Sequence, residues 1–330
     1  MEEIMAFLDM LKVGRSQSHE NLALFPLMAP DTGPPDYLTL EEALAEGTIR
    51  VTELTEGGSV PEIKVLNSSA KAVLVVDGEE LVGAKQNRIV NATFLVPGKA
   101  EVVIPVSCVE QGRWAYRSRG FESGERLMHA SLRRDHQRAV GESLLTQRKY
   151  SSDQGMIWSE LSLKAARMSV ESPTGAMADL FEGYRDRLGE YTRAFRLVEC
   201  QVGAVFALNG RMAGMECFFH QATFGKFFRK LVESYALDAL DYRFSGNEDL
   251  APVLEEPMGL LKGVRGASYR EYPAIGLGRS VRLEAEGLSG AALVKDEKVL
   301  HMNVFINEGF SSGGRVGLQR FSQRRRRAGR

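Results

Sequence analysis

The chain has 330 residues, 42 lysines and arginines against 43 acids, a formal net charge of −1 and three cysteines. That length supports a core that needs no disulfide or metal, and the balanced charge gives no global reason to expect nucleic acid or an anionic membrane as partner. An odd cysteine set (Cys108, Cys200, Cys217) at spacings unlike any metal knuckle argues against a disulfide scaffold, and no run approaches the ~18 apolar residues of a spanning helix; a soluble cytoplasmic protein is expected.

Taken in order, residues 1–13 carry Ile4, Phe7, Leu8 and Leu11 on one helical stripe. Residues 22–30 read as a short strand whose proline marks an edge or a bulge. Thr39 followed three residues later by Glu42 makes a capping box that opens a short helix over 40–46, which Gly47 ends. From Ile49 the period changes to two. Strands are predicted over 49–54, 62–66, 72–76, 88–96 and 101–108, with Asp77-Gly78 as a tight hairpin signal and Pro105 at an edge. Residues 111–149 are the most basic folded stretch, a loop that becomes helical over about 132–145. Helices follow over 156–169 and on to about Arg196. Asn209-Gly210 is the strongest hairpin signal and pairs Leu208 with Arg211, Phe206 with Ala213 and Ala204 with Met215. Residues 223–242 form the longest amphipathic helix, with Phe224, Phe227, Leu231 and Tyr235 on its apolar stripe. Four strands close the pattern at 268–272, 280–284, 291–295 and 299–306.

The fold class is therefore α+β, with an antiparallel β-sandwich or barrel-like N-terminal part, a helical middle and a C-terminal hairpin–helix–strand part. Composition divides the chain into a β-rich region over 1–112, a basic linker and helical region over 113–198, a strand-rich region over 199–307 and a disordered basic tail over 308–330. One continuous domain over 16–307 is the alternative.

The string DGEELVGAKQNRIVNATFLVPGKAEVVIPVSCVEQGRW over residues 77–114 resembles a largely uncharacterised family. That family is the domain associated with ADP-ribosylglycohydrolase and with rhodanese or phosphatase-like partners. A second block over 202–240, with Gly203, Asn209-Gly210, Phe218 and Leu231, matches in the expected order. The resemblance implies a link to ADP-ribose or nucleotide metabolism, or to RNA, and carries over no catalytic residue or cofactor.

The polar insert at 79–88 crowds Glu79, Glu80, Lys85, Gln86, Asn87 and Arg88 between two strands. As a loop on a stiff sheet it presents donors and acceptors to a sugar or nucleotide. Arg113 would take a phosphate bidentately and Trp114 would stack on a base. The plain alternative is a solvent-filled loop beside a core tryptophan. His301, beside Asn303 on a polar strand face, is the lone acid–base candidate, against a hydrogen-bonded structural role. His129 and His136 lack a third ligand at short range, so no metal site is expected. The row Glu182, Asp186 and Glu190 reads as an exposed ion-pair face, and Cys108 falls on an apolar phase and should be inert. A nucleotide-like ligand is thus the leading expectation. The competing ones are a protein-interaction scaffold with an unknown protein partner and an RNA binder using the arginine-rich middle and tail.

Overall fold

The computed structural model describes residues 1–55, 57, 61–244 and 257–307. The arginine-rich tail over 308–330 and most of the turn-rich stretch over 245–257 lie outside the described residues. A first helix (α1, Glu2–Met10) leads into β1 (Lys12–Val13), β2 (Gln17–His19), β3 (Leu22–Met28), β4 (Tyr37–Thr39) and α2 (Leu40–Ala45). Then come β5 (Ile49–Glu53), β6 (Glu62–Asn67), β7 (Ala72–Val75), β8 (Glu79–Gly83), β9 (Arg88–Val90), β10 (Phe94–Val96), β11 (Ala100–Cys108) and β12 (Phe121–Leu127). The helices α3 (Ala130–Gln147), α4 (Gln154–Arg167), α5 (Met177–Gly183) and α6 (Arg185–Ala194) form the middle. The described residues end with β13 (Gln201–Leu208), β14 (Arg211–Phe218), α7 (Gln221–Phe244), α8 (Pro257–Arg265), β15 (Ser268–Pro273), β16 (Arg279–Ala285), β17 (Leu288–Lys295) and β18 (Lys298–Ile306).

Among the described residues three sheets result. β11, β6, β5, β12, β8 and β9 close into a barrel; β10, β7 and β4 make a small sheet; and a nine-stranded sheet runs β1-β3-β13-β14-β18-β17-β16-β15, with β2 also on β3. Of the two N-terminal architectures expected, the barrel is realised. The N-terminal strands β1–β3 join the C-terminal sheet, while β12, from the basic middle, completes the barrel. α1 and α8 cover one face of the nine-stranded sheet through Ile4, Phe7, Leu8, Leu260 and Val264. α7 lies against the other through Phe224, Phe227, Leu231 and Tyr235. A third cluster fills the barrel and includes Val140 and Leu144 of α3. Helix α3 therefore sits between barrel and sheet, which decides where its polar residues go.

Local signals translate directly in several places. The Thr39/Glu42 capping box is present on both sides. The proline of β3 is tolerated because its carbonyl accepts from Gly14 N at 2.8 Å, on the same side as its ring nitrogen. That side falls in the gap between the short β2 and β1 pairings. Pro105 is no edge residue; it pairs with Glu62 of β6 and stands one residue before the pairing of β11 with β9 begins.

Other expectations are corrected. Asp77-Gly78 is not a β7–β8 hairpin, since β7 pairs with β4 and β10, whereas β8 pairs with β9 and β12. Gly78 is still required there: it has φ +80°, and a Cβ would stand 2.8 Å from Arg133 Nε. The strand foreseen over 88–96 breaks at Asn91 into β9 and β10, which enter different sheets. The second mid-chain helix divides at Tyr184 into α5 and α6. In the Asn209-Gly210 hairpin, Leu208 does face Arg211, but a bulge after Ala207 then places Phe206 opposite Gly214 and Ala204 opposite Glu216. One extra residue exchanges the faces of β14 beyond that point. Met215 therefore joins the α1–α8 side. Glu216 turns inward toward α3.

Candidate ligand-binding site

The residues at 79–88 do not form an exposed loop. Glu79 and Glu80 lie within barrel strand β8, and Glu79, Glu80, Gln86, Asn87 and Arg88 are each 5% exposed or less. Gln86 Oε1 accepts from Arg88 Nη1 at 2.9 Å, and the same nitrogen meets Cys108 Sγ. The carboxylate of Glu53 lies 3.6 Å from Arg88 Nη2. Burial pushes the Cys108 thiol up to about 11, against the pull of Arg88, so it is an inert thiol. Asn87 Oδ1 accepts from Arg113 Nη2 at 3.0 Å, while Arg113 also donates to Ala84 O at 2.8 Å and pairs with Glu110 at 2.7 Å. Burial works to raise the Glu110 carboxyl, but Arg113 and the Asn87 N–H outweigh it and hold it low. Trp114 is half exposed, with the Lys85 ammonium 5.3 Å and the Arg88 guanidinium 5.7 Å from its ring centre. Gln86, Asn87, Arg88, Arg113 and Trp114 thus do come together, as one end of the barrel with most of its polar atoms turned inward.

Glu79 and Glu80 point elsewhere. Glu79 accepts from Val76 N at 2.7 Å and lies 3.7 Å from Lys230 Nζ; burial raises its carboxyl despite that lysine. Glu80 lies 3.6 Å from Arg126 Nη1, with the Asn87 side chain as a further polar neighbour that works to lower it. Burial pushes it up to about 7, with Arg126 opposing and Glu110 and Asp179 adding to the rise. Gly124 of β12 lies directly on it, where a Cβ would come within 2.7 Å of Oε2.

Arg126 and Lys230, the cations above these two acids, open onto a cleft of about 470 Å³ between β12, α5, α6 and the N-terminal half of α7. Arg185, Lys226 and Arg229 complete its basic lining, Glu41, Glu125, Glu182 and Glu233 its acidic one, and Phe181 and Leu188 its apolar wall. Most of the cations are neutralised at the rim: Lys226 by Glu42 at 2.5 Å, Lys230 by Glu41 at 2.5 Å, Arg229 by Glu233 at 2.9 Å and Arg185 by Glu182. Arg126 differs. Its closest carboxylate is buried Glu80, it donates to Ala178 O at a long 3.4 Å, and it lies 5.5 Å over the Phe181 ring. The sequence hid this residue because the stretch containing it reads as loop, whereas β12 fixes it beneath α7.

His301 belongs to a second, interior constellation where α3, barrel and nine-stranded sheet meet. Its Nδ1 shares a hydrogen bond with Thr93 Oγ1 at 2.8 Å, and its Nε2 is 3.4 Å from Glu216 Oε2. Arg133 donates to Glu216 Oε1 at 2.6 Å and lies 3.7 Å from Asp77. Asn303 donates to Asp77 Oδ2 at 2.9 Å and receives Gln137. His136 meets Asn91 Oδ1 at 3.1 Å and Asp77 Oδ1 at 3.8 Å; burial pulls it down to about 4, so it is neutral. His301 and Asn303 do share a face, and that face is buried in this network rather than set in a cleft. His129 is apart from His136: it caps α3 and lies 3.2 Å from Asp238, itself held by Lys164 at 2.6 Å. Two members of the acidic row on α5 and α6 are paired, Glu182 with Arg185 and Glu190 with Arg187. Among the described residues, His19, Glu20 and Glu190 bring potential metal-ligand atoms within 4.8 Å of one another. Arg187 bonds both carboxylates at 2.8 Å, a pairing that disfavours a further cation.

No helix among the described residues is long and apolar enough to cross a membrane. Comparison with curated proteins and with solved structures yields no match. A family model does match, over residues 10–305, from the end of α1 to the last strand and with both blocks singled out in the sequence inside it. The chain belongs to the family of the ARG and Rhodanese-Phosphatase-superfamily-associated Protein domain.

Proposed function

We propose that the protein binds a phosphate-bearing, nucleotide-like ligand, with ADP-ribose as the reference compound, in the cleft beneath α7. The observation that carries this reading is Arg126, a guanidinium lining a 470 Å³ cleft whose closest carboxylate is a buried glutamate that burial pushes toward the neutral form. Such a cation is available to a phosphate, which a guanidinium meets bidentately. The volume suits a compact ligand. The rim acids Glu41, Glu125 and Glu182 would accept from sugar hydroxyls, while Phe181 and Leu188 offer an apolar wall. In this reading Glu79 and Glu80 are buried carboxyls beneath Lys230 and Arg126, and do not touch the ligand.

The test is calorimetric titration and thermal shift of the full chain with ADP-ribose, AMP and inorganic phosphate. Saturating ligand is expected to stabilise by about 2.7 kcal/mol at a hundredfold excess over Kd. Arg126→Ala should weaken binding at least about tenfold, the loss of one charge-assisted contact. Trp114→Ala should leave it unchanged; the reverse result would move the site to the barrel end with Arg113. No shift with any compound would remove the binding reading and leave the scaffold.

A further inference from the structure

The interior constellation borders a small, partly open chamber of about 10 Å³ lined by Asp77, Thr93, Ser280, Arg282, His301 and three alanines. That is on the order of the room one water molecule needs. Two residues of the wall carry unsatisfied polar atoms. Arg282 is more than nine-tenths buried, yet among the described residues its Nε and Nη2 have no hydrogen-bond partner, and neither has Oδ1 of buried Asp77. The Tyr150 ring centre lies 5.9 Å from its guanidinium carbon, and Tyr150 is not among the residues that line the chamber. Orphan buried groups of this kind are rare in native proteins and call for a partner.

The chemistry of the wall selects that partner. Arg282 only donates and ionised Asp77 only accepts. The neighbouring charges, Arg133 and Glu216, already pair at 2.6 Å, so the surroundings balance and favour a neutral occupant. A halide could accept from Arg282 but offers nothing to Asp77, and a cation does the reverse. Thr93 Oγ1 is engaged with Asp77 N at 3.1 Å and with His301. We propose that the chamber is a binding site for one resident water, accepting from the Arg282 guanidinium and donating to Asp77 Oδ1. The water turns a separated pair of charges, one on the nine-stranded sheet and one at the barrel, into a continuous hydrogen-bonded link. Arg282 also lines a shallow surface notch with Arg270, Tyr272 and Glu284, so it forms the partition past which the water exchanges with solvent.

The experiment is a crystal structure of the full chain at a resolution that shows ordered water, with a parallel soak in sodium bromide. A single peak within hydrogen-bond distance of Arg282 and Asp77 Oδ1, silent in the bromide anomalous map, is the expected result. An unoccupied chamber, or an anomalous bromide peak in it, would overturn the proposal, the second in favour of a small-anion site. Arg282→Met should lose the peak while the rest of the interior network keeps its positions. Should that variant fail to fold, the wild-type maps decide alone.

Discussion

At the scale of single residues, Glu80 makes the sharpest demand. Its carboxyl is raised to about 7 by burial, so between its unfolded value near 4.5 and 7 the folded state holds the extra proton. Stability from this group is therefore full below 4.5 and is lost as pH rises through 7, by up to about 3 kcal/mol. Glu80→Gln, which mimics the protonated form, should be more stable than the parent at pH 8 and nearly equal to it at pH 5. Urea denaturation at the two pH values checks this, and an equal difference at both would contradict it. The same residue couples to the cleft. Glu110 and Asp179 are the other acids acting on Glu80, and a neutral Glu80 leaves Arg126 free of its closest carboxylate. ADP-ribose should then bind more tightly at pH 6 than at pH 8, and Glu80→Gln should flatten that dependence. The Arg133–Glu216 pair behaves differently, because both partners are fully buried. Removing one side, as in Arg133→Leu, should cost about 3–5 kcal/mol, since it strands the other charge, and pairing it with Glu216→Met should recover much of the loss. A denaturant midpoint series on the two variants would measure it.

Elements show why positions that look alike in sequence differ in role. Gly214 and Gly141 are both glycines inside regular structure, but a Cβ on Gly214 would stand 2.6 Å from Tyr235 Oη and 2.7 Å from Val304 O, whereas one on Gly141 meets nothing within 4 Å. Gly214→Ala should destabilise by about 1–3 kcal/mol through overpacking of β14 against α7. Gly141→Ala in α3 should stabilise by about 0.5–1 kcal/mol by lowering the entropy cost of helix formation. Thermal denaturation of both variants separates the two cases. The bulge in the β13–β14 hairpin matters more than either glycine. An unbroken two-residue alternation from the Asn209-Gly210 turn puts Glu216 on the face covered by α1 and α8 and Met215 on the face toward α7. The one-residue shift reverses them and gives Arg133 its partner. A polar residue in the middle of the apolar run RMAGMECFF was the visible signal; the side it faces was not encoded locally.

For the whole molecule, the barrel and the large sheet are each completed by strands from distant parts of the chain: β12 fills the place between β5 and β8, and β3 pairs with β13. A fragment ending at residue 112 lacks both closures and should stay unfolded, with no cooperative transition by far-UV circular dichroism; a cooperative fragment would refute this dependence. Period-two and period-3.6 patterning, the capping box at Thr39, the hairpin at Asn209-Gly210 and the amphipathic stripe of α7 were all legible in the sequence, since each is set by neighbours a few residues apart. The shared face of His301 and Asn303 was legible for the same reason. Which strands join which sheet, which way Glu216 turns, and that Glu80 lies beneath Arg126 were decided by tertiary structure alone. The joining contacts span 83 residues for Arg133–Glu216 and 226 for Asn303–Asp77. At such separations the partner is chosen by global packing and by the cost of leaving a buried charge unpaired, and no local pattern records that choice.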